Sequence, residues 1–551
     1  MSRKSKQHVF SIIPRVNVPR SSFDRSHSVK TTFDAGKLIP FYCDEVYPGD
    51  TFNAKCNVFV RMATPVVPAM DNAYLDTFFF FVPYRLLWKH WKEFNGENPL
   101  AGYNETGYVV PMVSATNAQV GTLWDYFGFP TQISNKLQVN AWPFRAYYKV
   151  YNDWFRDENL QDSKDINTGD DMTSSSQSDA VFGSDSTYDM TDNQPLYRGK
   201  RHDYFTSSLP WPQKGPGVEL PLGQTAELSG VIPVSISGSA SSPTAVGVGT
   251  PQGFSQLQYS GTASGEGNFV YPNPSFTRAT PLQVDISDGG QAILSSATAI
   301  TINSLRSAFQ LQKFYEKDAR GGTRYTEIIR SHFGVVSPDS RLQRSEYLGG
   351  TSTPIMFNPV MQTSSSNDTT PQGNLAAYAF AATKTHGFGQ SFTEHGIVIG
   401  LMNVRTDLSY QQGINRMWLR QTREEYYWPS FAHLGEQAVL NKEIYAQGTA
   451  VDDDVFGYQE RYAELRYHPP IITGKMRSTY AQSLDVWHFA QKFDNLPALN
   501  ADFIKDTASY QAINRISAVQ SEPQFIGDIF VKLKCARPMP LYGVPGLVDH
   551  F

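Results

Sequence analysis

The chain has 551 residues, more than one ordinary core accommodates, so several domains or one domain with large insertions is expected. Only 18% of its residues are charged, aromatics reach 13%, and Gly (41) and Pro (34) are plentiful, a loop-rich composition that suits β proteins with many turns. A net charge of −5 excludes a global basic field for nucleic acid, and three cysteines (Cys43, Cys56, Cys535) without C-x-x-C spacing argue against a disulfide framework and fit a reducing compartment.

In chain order, residues 1–30 come first. They carry Arg3, Lys4, Lys6, Arg15, Arg20, Arg25 and Lys30 against the single acid Asp24, a local +6 in an acidic protein. Pro14 and Pro19 break regular structure, so an extended arm is expected. It is either a solvated terminus or a phosphate-binding arm on which Phe10 and Phe23 stack against bases. The apolar run 9–13 is ended by Pro14 and is too short for a signal-peptide core, and the run 78–82 is too short to span a bilayer. The expectation is synthesis in a cytoplasm and no membrane insertion.

From Thr51 the pattern has period 2. Phe52, Ala54, Cys56, Val58, Val60 and Met62 point one way; Asn53, Lys55, Asn57 and Arg61 point the other, with Phe59 the exception. That predicts a half-buried strand. Residues 74–82, YLDTFFFFV, predict a strand buried on both faces. Short helices are expected over 86–94 and 123–127.

Residues 143–161, PFRAYYKVYNDWFRDENLQ, predict an amphipathic helix over 143–156, opened by Pro143. Phe144, Tyr147, Tyr148, Tyr151, Trp154 and Phe155 share one face at helical spacing, with Arg145, Lys149, Asn152, Asp153 and Arg156 on the other side. So aromatic a face needs a large flat partner. Tyr147, Tyr151, Trp154 and Phe155 are therefore expected to pack on a sheet or a neighbouring subunit. Asp157 and Glu158 have the wrong sign for a helix C-terminus and should answer cations elsewhere.

Residues 162–195 are polar. Their Gly169-Asp170-Asp171 string lacks the hydrophobic flanks of a catalytic hairpin, and His202 beside Asp203 has no nucleophile with it. Residues 224–300 hold only Glu227, Glu266, Arg278, Asp285 and Asp288 as charged residues, with short β-branched runs that a flexible linker lacks. They read as an inserted subdomain of short strands. A helix follows from Ile302, then the Gly-centred turn 319–325 (ARGGTRY), a buried strand over 397–402 and a final alternating strand over 525–535. Strands at both ends with expanded connections suggest a β-sandwich.

The chain has no G-x-S-x-G elbow, no P-loop and no H-E-x-x-H helix, and its eleven histidines show no metal-ligand spacing. Asp452, Asp453 and Asp454 lack the spacing of a calcium loop and read as a solvated turn or a loosely held cation site. No cofactor or catalytic residue is expected.

Five stretches, 143–161, 202–215 (HDYFTSSLPWPQKG), 301–350, 456–487 and 537–551 (RPMPLYGVPGLVDHF), resemble the major capsid protein of the microviruses, small tailless single-stranded DNA phages, in their gokushovirus branch. That resemblance implies an all-β core: an eight-stranded antiparallel viral jelly roll with long inter-strand loops, several helices and a large insertion. The chain would divide into an extended basic arm (1–30), a first jelly-roll part (31–223), an inserted protrusion (224–300) and the remainder (301–551). Sixty copies would close a T=1 shell around circular single-stranded DNA, assembled in the host cytoplasm with minor capsid or DNA-pilot and scaffolding proteins. The protrusion would stand at the three-fold axis, where Phe254, Tyr259, Phe269 and Tyr271 are candidates for contact with a host surface receptor. Rival readings are a carbohydrate-binding β-sandwich and a host-attachment protein.

Overall fold

The computed structural model describes residues 19–97, 107–170, 193–218, 246–250, 253–260, 268–270, 302–336, 343–364, 372–507 and 512–542. The chain divides into two compact units: Met1–Lys214 with Tyr315–Phe551, and Gly215–Phe314.

The first unit opens with β1 (Ser21–Asp24), β2 (His27–Phe33), β3 (Ile39–Val46), β4 (Thr51–Met62) and β5 (Ala73–Pro83). A small pair follows, β6 (Met112–Ala115) with β7 (Leu137–Asn140). In the second unit β8 (Val246–Thr250), β9 (Gly253–Ser260) and β10 (Asn268–Val270) form a three-stranded antiparallel sheet. Back in the first unit come β11 (Glu346–Met361), β12 (Leu375–Ser391), β13 (Gly396–Thr406), the pair β14 (Glu436–Leu440) and β15 (Val455–Glu460), and β16 (Phe525–Arg537).

Eight of these strands build the core, and every pairing among them is antiparallel. One sheet runs β2-β16-β4-β12, with β1 beside β2 on the same edge of β16; the other runs β3-β13-β5-β11. The β11–β12 hairpin, paired from Met356 with Phe380 to Met361 with Leu375, joins the two. This interleaving of early and late strands in two sheets of four is a jelly roll. One core fills the space between them, with Phe52, Val58, Ile529 and Leu533 from the first sheet and Phe41, Leu75, Phe79 and Val404 from the second.

The alternation runs the length of β4 and from Phe525 to Cys535 in β16: every second residue is buried. β5 is buried on both faces, as its aromatic run predicts. Leu75, Phe79 and Phe81 enter the core, while Phe80 and Val82 join a second apolar cluster on the outer side.

The outer cluster is made by helices. The stretch expected as one helix over 86–94 is two single turns, α1 (Tyr84–Leu87) and α2 (Trp91–Phe94), and α3 (Leu123–Tyr126) follows. α4 (Trp142–Val150) runs on as a π-helical turn through Phe155, so the helix expected over 143–156 is present to within a residue at each end, its last turn in a wider coil. α4 packs on β5 and β13 of its own subunit. α5 (Ile302–Arg320) and α6 (Tyr325–Phe333) follow the second unit's strands in sequence.

Residues 21–33 correct the expectation of an irregular arm through residue 30. Pro19 opens the described residues and no regular structure is broken after it. Beyond it the edge of β16 offers an unpaired row of N–H and C=O groups, and β1 and β2 satisfy it.

Candidate functional site

The nucleic-acid candidates divide at residue 19. Arg3, Lys4, Lys6, Phe10 and Arg15 lie outside the described residues. Arg20 donates to Thr51 Oγ1 (2.5 Å) and to the Ala536 carbonyl (3.3 Å), and Arg25 pairs with Asp44 at 2.7 Å. Lys30 meets Asp528 at 3.0 Å in solvent. Phe23 is half-buried on β1 opposite Cys535. Within this stretch, Arg20 and Arg25 are tied to the sheet.

The aromatic helix is anchored by polar tips as well as by area. Tyr147 is fully buried; its hydroxyl donates to the Leu38 carbonyl (2.8 Å) and accepts the Leu196 N–H (2.9 Å), and burial pushes its pKa far up. Tyr151 is buried, and its hydroxyl meets Gln161 Oε1 at 3.4 Å. Trp154 donates through Nε1 to the Ser345 carbonyl at 3.1 Å, while the Asp153 carboxylate accepts the Ser345 N–H and hydroxyl, each at 2.9 Å. Phe155 packs edge-on against Phe78 (5.3 Å) and Phe80 (5.7 Å). Arg145, expected on the polar side, is fully buried and donates to the carbonyls of Leu87 (2.8 Å) and Gly169 (3.0 Å). Burial lowers its pKa to about 10 against the pull of Asp170.

The two acids after the helix behave differently. Glu158 accepts from Arg324 and from Thr323, so it does meet a cation, on the 319–325 turn. That turn bends at Gly322, whose φ of +90° suits glycine alone among common residues. Asp157 instead accepts the N–H groups of Asn159 and Leu160, a local turn with no cation in it.

The would-be chemical motifs are structural ties. Asp170 accepts from Trp88 Nε1 (2.6 Å) and His90 Nδ1 (2.7 Å). Burial raises its pKa, but those bonds outweigh it and leave the carboxyl below its usual range. Asp171 lies outside the described residues. Asp203 holds the N–H groups of Phe205 and Thr206, and His202 is exposed beside it. Asp452 caps Gln447 and Gly448, and Asp453 pairs with Lys442. Among the described residues no cluster of His, Cys, Asp and Glu could hold a metal, and no helix is long and apolar enough to cross a membrane.

Sequence reasoning missed a buried charge cluster. Asp76 on β5 binds Arg198 at 2.6 Å and Arg405 at 2.8 Å. Burial raises the Asp76 pKa, yet the two guanidiniums and Ser352 outweigh it and hold the carboxyl below its usual range. Burial and the nearby Arg405 pull Arg198 down to about 9. Both arginines line a polar cavity of about 420 Å³ that Arg156, Lys200, Arg324, Glu158 and Glu327 also reach. No local pattern announces residues 76, 198 and 405 as partners.

Of the receptor candidates, Phe254 and Tyr259 lie on β9 and Phe269 on β10, paired with Tyr259; Tyr271 lies outside the described residues.

Comparison with known proteins agrees with this architecture. The profile of the capsid protein (F protein) family matches residues 11–547. Capsid protein VP1 of Bdellovibrio phage phiMH2K is 44% identical over the whole of both chains. VP1 of Chlamydia phage 1 is 43% identical, with 98% of this chain and 97% of the relative covered. VP1 of Spiroplasma virus 4 is 37% identical over 98% of each. With the jelly roll, the aromatic helix and full-length matches to three gokushovirus proteins together, this chain belongs to the capsid protein (F protein) family, in its gokushovirus branch.

Proposed function

We propose that sixty copies of this chain, the number the resemblance implies, close a T=1 icosahedral shell around circular single-stranded DNA. The observation that carries this reading is the full-length match to capsid proteins on a jelly-roll core. Exposed large side chains support a subunit completed by its neighbours. Trp418 is 74% exposed, and Tyr426, Tyr427, Trp428 and Leu434 are exposed in the same loop region. Apolar surface left open on this scale marks protein contacts. The role is structural, and Asp170, Asp203 and Asp452 are all engaged in holding backbone or side chains.

In this shell residues 1–30 face inward and touch the genome. The support is the local excess of charge in an acidic protein, with Arg3, Lys4, Lys6 and Arg15 all N-terminal to the strand that ties the arm down. Residues 224–300 form the outward protrusion at the three-fold axis. A thin core of small and β-branched residues is marginal alone and gains from three copies meeting, and three receptor contacts raise avidity. Assembly takes place in the host cytoplasm with scaffolding and DNA-pilot partners.

Negative-stain electron microscopy of purified material tests the shell: closed particles of one size are expected, and monomers or trimers alone overturn it. Nuclease treatment before DNA extraction tests enclosure, with a protected circular single strand as the expected result. Replacing 224–300 by the equivalent segment of a related phage with another host should redirect adsorption; particles that still follow the original host would place the receptor site elsewhere.

A further inference from the structure

We propose that the solvent face of the first sheet, across β16, β4 and β12, is a platform for single-stranded nucleic acid. Bases stack on Phe530, Phe59, Phe380 and Tyr378, and phosphates sit on Lys55, Arg61, Lys532 and Lys534. This rests on the reading that the shell encloses single-stranded DNA, and adds a site to it beyond the N-terminal arm.

The first observation is an inversion of the usual pattern. On β12 the side chains that enter the core are small, Ala377, Ala379 and Ala381, while Tyr378 and Phe380 point outward. Phe59 (49% exposed) breaks the polar row of β4 and Phe530 (44% exposed) that of β16. Sheets of this kind ordinarily turn polar residues to water. Aromatic rings on the wet face of three adjacent strands therefore call for a partner.

The rings form one line. Phe530 lies opposite Asn57 and Phe59 opposite Asp528, so the two are diagonal neighbours across β16 and β4. Phe59 and Phe380 have centroids 6.1 Å apart, and Phe380 and Tyr378 are parallel to within 6° at 5.9 Å. Such a row offers π-faces to successive bases without selecting among them.

Charge names the partner. The outward rows of β1, β2, β4 and β16 carry Lys30, Lys55, Arg61, Lys532 and Lys534 against Asp24 and Asp528, a local excess of three positive charges in a chain whose net charge is −5. Lys55 lies directly opposite Lys532 in the register, a like-charge pair that the fold does not need. A polyanion turns that repulsion into attraction. A second copy related by a two-fold axis would bring the same cations together. β1, which follows the basic residues 1–18 in sequence, pairs with β16 on this sheet.

The test uses intact particles. After ultraviolet cross-linking, nuclease digestion and peptide mass spectrometry, nucleotide adducts are expected on the peptides holding Phe59, Tyr378–Phe380 and Phe530. Adducts confined to other peptides, with DNA present, overturn the platform and leave enclosure standing. Particles without DNA overturn the enclosure reading itself. Lys55→Gln with Lys532→Gln should lower the salt slope of oligodeoxythymidine binding by dissociated subunits by about 1.4, at roughly 0.7 per phosphate contact; an unchanged slope counts against the site. Should that variant fail to assemble, amine acylation of wild-type particles decides. Lys55 and Lys532 should be protected in filled particles and reactive in emptied ones. Protection in both means that protein covers the face, reactivity in both means that nothing does, and either result overturns the proposal.

Discussion

On the second sheet, the outward side chains Phe80 and Val82 of β5 and Ile397, Ile399 and Leu401 of β13 lie under α4 and its neighbours, all buried. On the first sheet, the outward side chains Lys55, Phe59, Arg61, Phe530 and Lys532 lie in solvent. The two sheets share one core and the same strand geometry, so the difference is not one of fold. It follows from where the long connections return. The β5–β11 connection brings α4 back over the second sheet, whereas β4 and β16 receive no helix among the described residues. One outer face is committed to stability within the subunit. The other is left to something outside it. Replacing equivalent rings on the two faces measures that division.

The largest effect belongs to the covered face. Phe80→Ala removes a fully buried ring wedged against Trp154, Phe155 and Tyr347 and should cost about 3–5 kcal/mol, read as a lowered unfolding midpoint in denaturant. Tyr151→Ala should fall in the same range, since that ring is buried too. A loss below about 1 kcal/mol for either would show that the helical layer is not integral to the subunit.

Asp76→Asn comes next, at about 3–5 kcal/mol as an upper range, because it leaves Arg198 and Arg405 buried without their shared carboxylate. The sign of its pH dependence follows from the depressed pKa. The folded state holds the ionised form more strongly than the unfolded one, so this contribution is present above the ordinary value of 3.8 and is lost as pH falls through the lower folded value. The stability gap between wild type and Asp76→Asn should therefore narrow as pH drops below 3.8. A gap that widens there would mean that the pair does not govern the cluster.

Trp154→Ala should cost less than Tyr151→Ala, on the order of 2 kcal/mol, because Trp154 keeps part of its ring in solvent and stacks under Arg344 rather than in the centre of the layer. Equal losses at both positions would place Trp154 in the centre after all.

The same contrast explains what the sequence discloses. The alternation of β4 and β16, and the double aromatic face of β5, are local patterns set by burial, and they read directly from the residues around Phe52, Phe80 and Ile529. The covered face is legible in part, because Phe144, Tyr147 and Tyr151 repeat at helical spacing; the burial of Arg145 is not, since its carbonyl partners come from Leu87 and Gly169. β12 escapes because its inward residues Ala377, Ala379 and Ala381 are small and its outward Tyr378 and Phe380 aromatic, which reverses the signal that periodicity relies on. The bare face escapes for another reason: Lys55 and Lys532 are neighbours only through the β4–β16 register, which joins opposite ends of the chain. Phe59, the one break in an otherwise regular row, was the visible trace of that face.

The smallest effect is the most discriminating. Phe59→Ala should leave subunit stability within about 0.5 kcal/mol, against several for Phe80→Ala, although the two rings are similar in size and sit on adjacent strands of the chain. Lys532→Glu goes further and should raise stability. It replaces a like-charge pair directly opposite across two strands by an opposite-charge pair, a change worth about 0.2–1 kcal/mol at low salt. Asp24 lies close enough to feel Lys532 and Lys534 and tempers the gain. The gain should shrink in 1 M salt, where screening acts within about 3 Å. Were Lys532→Glu instead to lower the denaturant midpoint, the two lysines would not be opposing one another, and the bare face would be an ordinary solvated surface. A residue kept at a small cost to the folded subunit is retained for what it meets outside it, and here Lys532 stands opposite Lys55 on a face that also carries four aromatic rings and two further cations.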